Sequence, residues 1–158
     1  MRIVFVDFDG VLNSDEYFAA HPAVNSTDAD WWSAASLDPG AVQRLDRLIT
    51  RADASIVLST SWRKILTLDE LSSILRELGF GGKLLGKTPT LYTSPDGVRF
   101  TRGHEIQAWL DANLQTSSFV ILEDSEPLSH LELRCVRTDP ALGLTDMDVD
   151  RALALLNQ

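Results

Sequence analysis

The sequence of 158 residues has little of what several classes of protein require. Its only cysteine is Cys135, so no disulfide can form within the chain. Lysine and arginine number 14 against 23 aspartates and glutamates, which gives a formal net charge of −9. A broad nucleic-acid-binding face needs the opposite balance and is not expected. A local pocket for a nucleic-acid end remains compatible with this charge.

Long apolar runs are also missing. None approaches the roughly 20 residues that a helix needs to cross a membrane, so no membrane partner is expected. Cys135 lies in an apolar stretch and is expected to be a buried free thiol, which favours a reducing compartment and hence a cytoplasmic location. The 3 histidines lack the spacing of zinc ligands.

What the chain does contain is an alternation of short apolar strands with amphipathic helices. We predict strands at 2–7, 54–59, 83–85, 118–122 and 134–138, and helices at 38–51, 68–78, 103–113 and 146–157. This order is typical of a parallel sheet with helices on both faces. Residues 1–158 are therefore predicted to form a single α/β domain, a three-layer Rossmann-like fold.

Two further segments are expected to border the site. Residues 14–36 are polar and too short for a cap domain, so we interpret them as a short flap. The pair Trp31-Trp32 is predicted to pack this flap onto the body, and the alternative is a lid that stacks on a base. Residues 90–100 are predicted to form a hairpin around Ser94-Pro95-Asp96-Gly97. Such minimal cover predicts an open site that admits bulky substrates.

Oxygen-bearing side chains follow three of the predicted strands. Asp7 and Asp9 end the first strand, Ser59 and Thr60 end the second, and Asp124 ends a later one. Because the carboxyl ends of parallel strands meet at one edge of a sheet, these groups are expected to lie together. Hard oxygen ligands are those that Mg²⁺ prefers. The predicted Mg²⁺ ligands are Asp7, Asp124 and the backbone carbonyl of Asp9.

This arrangement suits phosphate-ester hydrolysis. A phosphate and a carboxylate pair repel each other unless a cation lies between them. Asp7 is then placed to attack phosphorus and form an aspartyl-phosphate, while Asp9 acts as general acid and base. Either Ser59 or Thr60 is expected to hold a phosphoryl oxygen.

A protein cation should balance the charge on the transferred group, and two residues are candidates. Arg102 immediately precedes the helix that leads to the Asp124 strand, whereas Lys87 lies before the predicted hairpin. Both are retained as phosphate-binding candidates. Arg63 has two interpretations of equal weight, a substrate contact or an ion pair with a surface carboxylate.

Asp7-Phe8-Asp9-Gly10-Val11-Leu12 resembles the first motif of the haloacid dehalogenase (HAD) superfamily. Ser59 after its apolar strand resembles the second motif, and Asp124 resembles the fourth. The resemblance implies a HAD-like fold and the same roles of nucleophile, acid/base, phosphate ligand and metal ligand. The chain departs from the pattern twice: Arg102 takes the slot of a lysine, and Glu123 that of an aspartate.

The whole chain is further similar to the small HAD domains of Swiss Army Knife RNA-repair proteins. The similarity lies in 7–13, 58–63, 102–106 and the Asp124 strand, and it implies action on nucleic-acid ends such as 3′-phosphates. Two alternatives stay open: a phosphatase of nucleotides or sugar phosphates, and a non-catalytic HAD-like binding module. The three intact aspartates argue against the binding module.

Overall fold

The computed structural model of the protein describes residues 1–24, 31–94, 96–97 and 99–158. In this part of the chain, one parallel sheet has the strand order β3-β2-β1-β4-β5. The strands are β1 (Arg2–Val6), β2 (Ala54–Leu58), β3 (Lys83–Lys87), β4 (Ser118–Glu123) and β5 (Cys135–Arg137). The predicted parallel α/β sheet is therefore confirmed, with the sequence's first strand at its centre.

Helices cover both faces of this sheet. They are α1 (Asp15–Ala20), α2 (Pro39–Ala52), α3 (Leu68–Glu77), α4 (Arg102–Ala112) and α5 (Asp146–Leu156). The larger apolar core joins α2, α3 and α5 to one face, and a smaller core joins α4 to the other. This confirms the three-layer architecture. Among the described residues, no helix has both the length and the apolar character needed to cross a membrane.

Local sequence signals explain where these helices begin. The Asp38 side chain accepts a hydrogen bond from the Gly40 amide at 2.8 Å and caps α2, which starts at Pro39. Thr67 and Glu70 form the predicted capping box of α3. Each device satisfies amide groups that the first turn of a helix leaves without a partner.

The register of the sheet determines which residues meet at its carboxyl edge. Val6 of β1 pairs with Leu58 of β2 on one side and with Leu122 of β4 on the other. The residue after each of these therefore lies at one level of the sheet, namely Asp7, Ser59 and Glu123. The strand ends that carry oxygen groups are thus brought together by backbone pairing.

Two expectations need correction. The Gly97 amide donates to the Ser94 carbonyl at 2.9 Å, but the described residues of 90–100 form no strands. An isolated two-stranded hairpin is marginal in water, and the rest of this prediction falls on Pro95 and Val98, outside the described residues. Cys135 is free but half-buried on an edge strand rather than fully buried.

The flap prediction, 14–36, missed helix α1. Its six residues are too few to show a helical period. The local signals are the side chain of Ser14, which accepts from the Tyr17 amide, and the acidic first turn of Asp15 and Glu16. Residues 25–30 of this segment lie outside the described residues. Nothing larger than α1 and a 3₁₀ turn, Ala34–Ser36, is found in the described part of the flap.

Helix α4 approaches the chain after β4 very closely at Gly103. A Cβ atom at this position would lie 2.4 Å from the Leu128 carbonyl oxygen, which belongs to the backbone. The Gly103 amide also donates to the Pro127 carbonyl at 3.2 Å. A glycine at the start of α4 therefore sets how near Arg102 comes to the strand ends.

We predict that Gly103→Ala destabilises the protein by about 2 kcal/mol, because the clash lies against backbone that cannot rotate away. Urea unfolding monitored by circular dichroism measures the change. Gly86→Ala is the matched control, since a Cβ at Gly86 has no atom within 4 Å and Gly86 lies in a strand. Equal stability of the two variants would contradict the close approach of α4.

Candidate active site

Asp7 lies immediately beyond β1 and is almost completely buried, with 5% of its surface exposed. Its amide donates to the Leu122 carbonyl at 3.1 Å, which extends the sheet pairing by one residue. One carboxylate oxygen accepts from the Phe8 amide at 2.7 Å, and the other lies 3.6 Å from the Arg102 guanidinium. The backbone and the Arg102 side chain thus hold Asp7 in one orientation.

Three carboxylates gather at this point. Asp7, Glu123 and Asp124 each offer an oxygen, and the three oxygens lie within 4.8 Å of one another. The backbone turn at Gly10, with φ of +70°, brings the chain against Asp124: a Cβ on Gly10 would lie 2.6 Å from an Asp124 oxygen. Glycine is required here by both the left-handed backbone and the lack of space.

Burial changes the acidity of two of these groups. Loss of hydration raises the pKa of Asp7, although the nearby Arg102 guanidinium opposes the change. Burial, followed by repulsion from Asp7, raises the pKa of Glu123 to about 8. Crowded carboxylates with raised pKa values are typical of a site that needs a cation to ionise fully.

Glu123 itself has a structural task. One of its oxygens accepts hydrogen bonds from the amides of Asp124, Ser125 and Glu126 at 3.0 to 3.2 Å. The other lies 3.7 Å from the Arg102 guanidinium. The residue that departs from the usual aspartate therefore shapes the turn that carries Asp124.

Asp9 is half-buried, and two side chains hold its carboxylate. The Trp62 indole N–H donates to both of its oxygens, at 3.1 and 3.2 Å, and the Asn13 amide donates to one at 3.0 Å. Trp62 is fully buried and packs edge-on against Phe8 at a centroid distance of 5.2 Å. The rigid core therefore sets the position of the Asp9 carboxylate.

The two hydroxyl candidates differ in their partners. Thr60 accepts from the Trp62 amide at 3.3 Å and caps the 3₁₀ turn Ser61–Lys64. The Ser59 hydroxyl is buried and has no hydrogen-bond partner among the described residues. Burying a hydroxyl without a partner is costly, so Ser59 is the one with unused capacity.

The two cation candidates are clearly separated. Arg102 is 7% exposed, and its guanidinium lies 3.6 Å from Asp7 and 3.7 Å from Glu123. The Lys87 ammonium instead donates hydrogen bonds to the carbonyls of Arg63 and Leu66, at 3.0 and 3.3 Å. The structure thus brings Arg102 to the carboxylates, while Lys87 fastens the turn after β2.

Arg63 lies in the interior. Its guanidinium pairs with the buried Glu105 of α4. It also donates to backbone carbonyls on both sides of the site, those of Ser59, Thr60, Thr88 and Pro89. The geometry fits an ion pair rather than a substrate contact, but the partner, Glu105, is buried and is not the surface carboxylate that was expected. The pair ties the ends of β2 and β3 to the helix that carries Arg102.

The tryptophan pair of the flap packs onto the body. Trp31 stacks on Phe18 of α1 at a centroid distance of 5.1 Å, and Trp32 meets Trp62 edge-on at 5.3 Å. Both are partly buried against the larger core. The packing interpretation is therefore the one that the contacts support.

The donor set fits a magnesium ion. Asp7 and Asp124 supply hard anionic oxygens, and a third carboxylate, Glu123, keeps one oxygen without a hydrogen bond within the described residues. The backbone carbonyl of Asp9 stays a predicted ligand. No histidine or cysteine belongs to the cluster, so its chemistry favours Mg²⁺ over zinc.

Sequence reasoning missed three supporting residues: Asn13, Trp62 and Glu105. Trp62 and Glu105 act through contacts with residues far away in the chain, Asp9 and Arg63, which no local pattern reports. Asn13 acts locally, on Asp9 four residues before it. The available signal was the family resemblance, since its segments 7–13, 58–63 and 102–106 contain all three residues.

Residues 3–149 match the family described as the HAD domain in Swiss Army Knife RNA repair proteins. The match includes every residue of the site described above. Comparisons with curated proteins and with solved structures find no match. The similarity noted from the sequence motifs is confirmed at the level of the family.

We predict that Glu105→Gln destabilises the protein by about 3 kcal/mol, because it leaves the buried Arg63 charge without its partner. Glu132→Gln is the control: it breaks the exposed pair with Arg137 and should cost less than about 1 kcal/mol. Urea denaturation compares the two. If both substitutions cost the same, the Arg63–Glu105 pair does not hold the site together.

Proposed function

Since the chain belongs to the family of HAD domains in Swiss Army Knife RNA repair proteins, we propose that it is a Mg²⁺-dependent phosphomonoesterase. The observation that carries the proposal is the gathering of the Asp7 and Asp124 carboxylates at one sheet edge beside Arg102. HAD proteins generally use Mg²⁺, and the carboxylate cluster is compatible with it. A binding module would gain nothing from burying these charges together.

In the first step, a carboxylate oxygen of Asp7 attacks phosphorus, and the bond from phosphorus to the leaving oxygen breaks. The product is an aspartyl-phosphate, which water then attacks to release inorganic phosphate and regenerate Asp7. Magnesium held by Asp7, Asp124 and the Asp9 carbonyl would offset the repulsion between phosphate and carboxylates. The backbone bonds that fix Asp7 prepare it for in-line attack.

Asp9 is the proposed general acid and base. It gives its proton to the leaving oxygen in the first step, and takes a proton from the attacking water in the second. Trp62 and Asn13 hold its carboxylate in place, so no ordering is needed at the moment of transfer. Arg102 and the free hydroxyl of Ser59 are proposed to contact the phosphoryl oxygens.

For the substrate, we propose a bulky phosphate ester, in particular a 3′-phosphate on a nucleic-acid end. The family description names RNA repair, and the described part of the flap adds no cap over the site. The acidic net charge of −9 favours the second candidate, a nucleotide or sugar phosphate.

A panel of 3′-phosphorylated oligonucleotides, nucleotides, sugar phosphates and phosphopeptides separates the two candidates. We expect the oligonucleotides to give the highest kcat/KM. Good rates on metabolites together with no turnover of any oligonucleotide would reject the nucleic-acid end as substrate.

We predict that the protein hydrolyses an aryl phosphate with Mg²⁺ and loses this activity in EDTA. Asp7→Asn should lower kcat by at least about 10⁴-fold, because it removes the attacking oxygen charge. Its stability should equal or exceed that of the wild type, because the substitution relieves crowding among buried carboxylates. Thermal melts provide this control, and an unchanged kcat in a folded variant would eliminate Asp7 as nucleophile.

Trp62→Phe tests how Asp9 is positioned. Loss of the indole N–H should slow the hydrolysis of an alkyl phosphate about ten-fold more than that of a nitrophenyl phosphate. The alkyl leaving oxygen needs protonation and the nitrophenyl oxygen does not. Trp109→Phe is the matched control, because Trp109 packs against Phe5 on the other face of the sheet. Equal slowing of both substrates would indicate a purely structural role for Trp62.

A further inference from the structure

A cleft of about 450 Å³ opens next to the carboxylate cluster. It shares Arg102 with that cluster and is otherwise lined in part by Lys64, Arg99, Phe100 and Glu126. A cleft of this volume holds a nucleotide-sized group. The cleft therefore offers space for the leaving group of a substrate whose phosphoryl group lies at Asp7.

The charge of the cleft is unusual for this acidic chain. The positive charge of Arg102 is balanced by three carboxylates within 4.0 Å of its guanidinium, those of Asp7, Glu123 and Glu105. Glu105 also lines the cleft, and its negative charge is paired with Arg63. Lys64 and Arg99 remain exposed, and within the described ranges neither forms an ion pair or a side-chain hydrogen bond. Against them stands one exposed carboxylate, that of Glu126.

Two separate segments supply these unmatched cations. Lys64 ends the 3₁₀ turn after β2, and that turn is anchored by the contacts of Arg63. Arg99 comes from the segment before α4, and Phe100 beside it packs edge-on against His104 at 5.6 Å. The cleft therefore joins two positive charges, an aromatic wall and the Arg102 edge of the site.

We propose that Lys64 and Arg99 bind a second phosphate, carried by the leaving group of the substrate. The inference rests on the proposed phosphatase function and adds a requirement to it. The preferred ester has two phosphates: one cleaved at Asp7 and one held in the cleft, with a nucleoside between them along Phe100. The second phosphate is the 5′-phosphate of a nucleoside 3′,5′-bisphosphate or the phosphodiester of a strand end.

Three substrates test the proposal: a nucleoside 3′-monophosphate, the same nucleoside with an added 5′-phosphate, and a 3′-phosphorylated dinucleotide. In the wild type, kcat/KM should be about ten-fold higher for the second and third, since charge-assisted contacts contribute on this scale. A gain for the dinucleotide alone would identify the phosphodiester as the ligand, and a gain for the bisphosphate alone the terminal phosphate.

Lys64→Ala and Arg99→Ala should each remove most of this preference, whereas Glu126→Gln should increase it. Lys83→Ala and Arg76→Ala are the matched controls, because both residues are exposed and lie outside the lining of the cleft. The two controls should keep the wild-type ratio. An unchanged ratio in both cleft variants, or an absent preference in the wild type, would overturn the proposal.

Binding to Asp7→Asn keeps this test separate from catalysis. Calorimetric titration of that variant with the bisphosphate and the monophosphate should show the same preference, and adding Lys64→Ala should remove it. If aryl phosphate hydrolysis fails while this preference is present, the phosphatase proposal falls and the second-phosphate site stands. Equal affinity for the two ligands overturns the site, whatever the enzyme hydrolyses.

Discussion

Repulsion among Asp7, Glu123 and Asp124 is the constraint on which the site depends. Parallel pairing of β1 with β2 and β4 places these carboxylates at one edge, and the burial of Asp7 and Glu123 removes water that would screen the charges. Arg102 supplies the protein's own compensation, at 3.6 Å from Asp7 and 3.7 Å from Glu123. A divalent cation at the same oxygens would complete it, which links metal binding to the charge state of the site.

Arg102 is held there by residues that have no part in the proposed chemistry. The Arg63–Glu105 pair connects α4 to the turns after β2 and β3, and the close approach at Gly103 seats the same helix on the chain after β4. Both contacts fix the position of the backbone and take no part in the proposed reaction. The same turn after β2 continues into Lys64, so one anchored segment serves both the carboxylate cluster and the adjoining cleft.

Local sequence predicted the structure correctly where a few neighbouring residues are enough to fix a strand or the start of a helix. The apolar run 2–7 predicted the central strand, Asp38-Pro39 predicted the start of α2, and Thr67 with Glu70 predicted the capping box. The hairpin at 90–100 failed for the opposite reason. The Gly97 amide does bond to the Ser94 carbonyl, but strand pairing depends on partners that a turn signal does not supply.

By itself, the sequence determined the order of the strands and of the helices longer than α1, the parallel arrangement of the strands, and which residues follow each strand, because hydrophobic period and capping act over a few residues. Tertiary structure decided between candidate residues that the sequence could not distinguish. Arg102 rather than Lys87 reaches Asp7, Thr60 is engaged while Ser59 is free, and Arg63 turns inward. Each of these outcomes depends on distances between segments far apart in the chain, which only the packed sheet and helices fix.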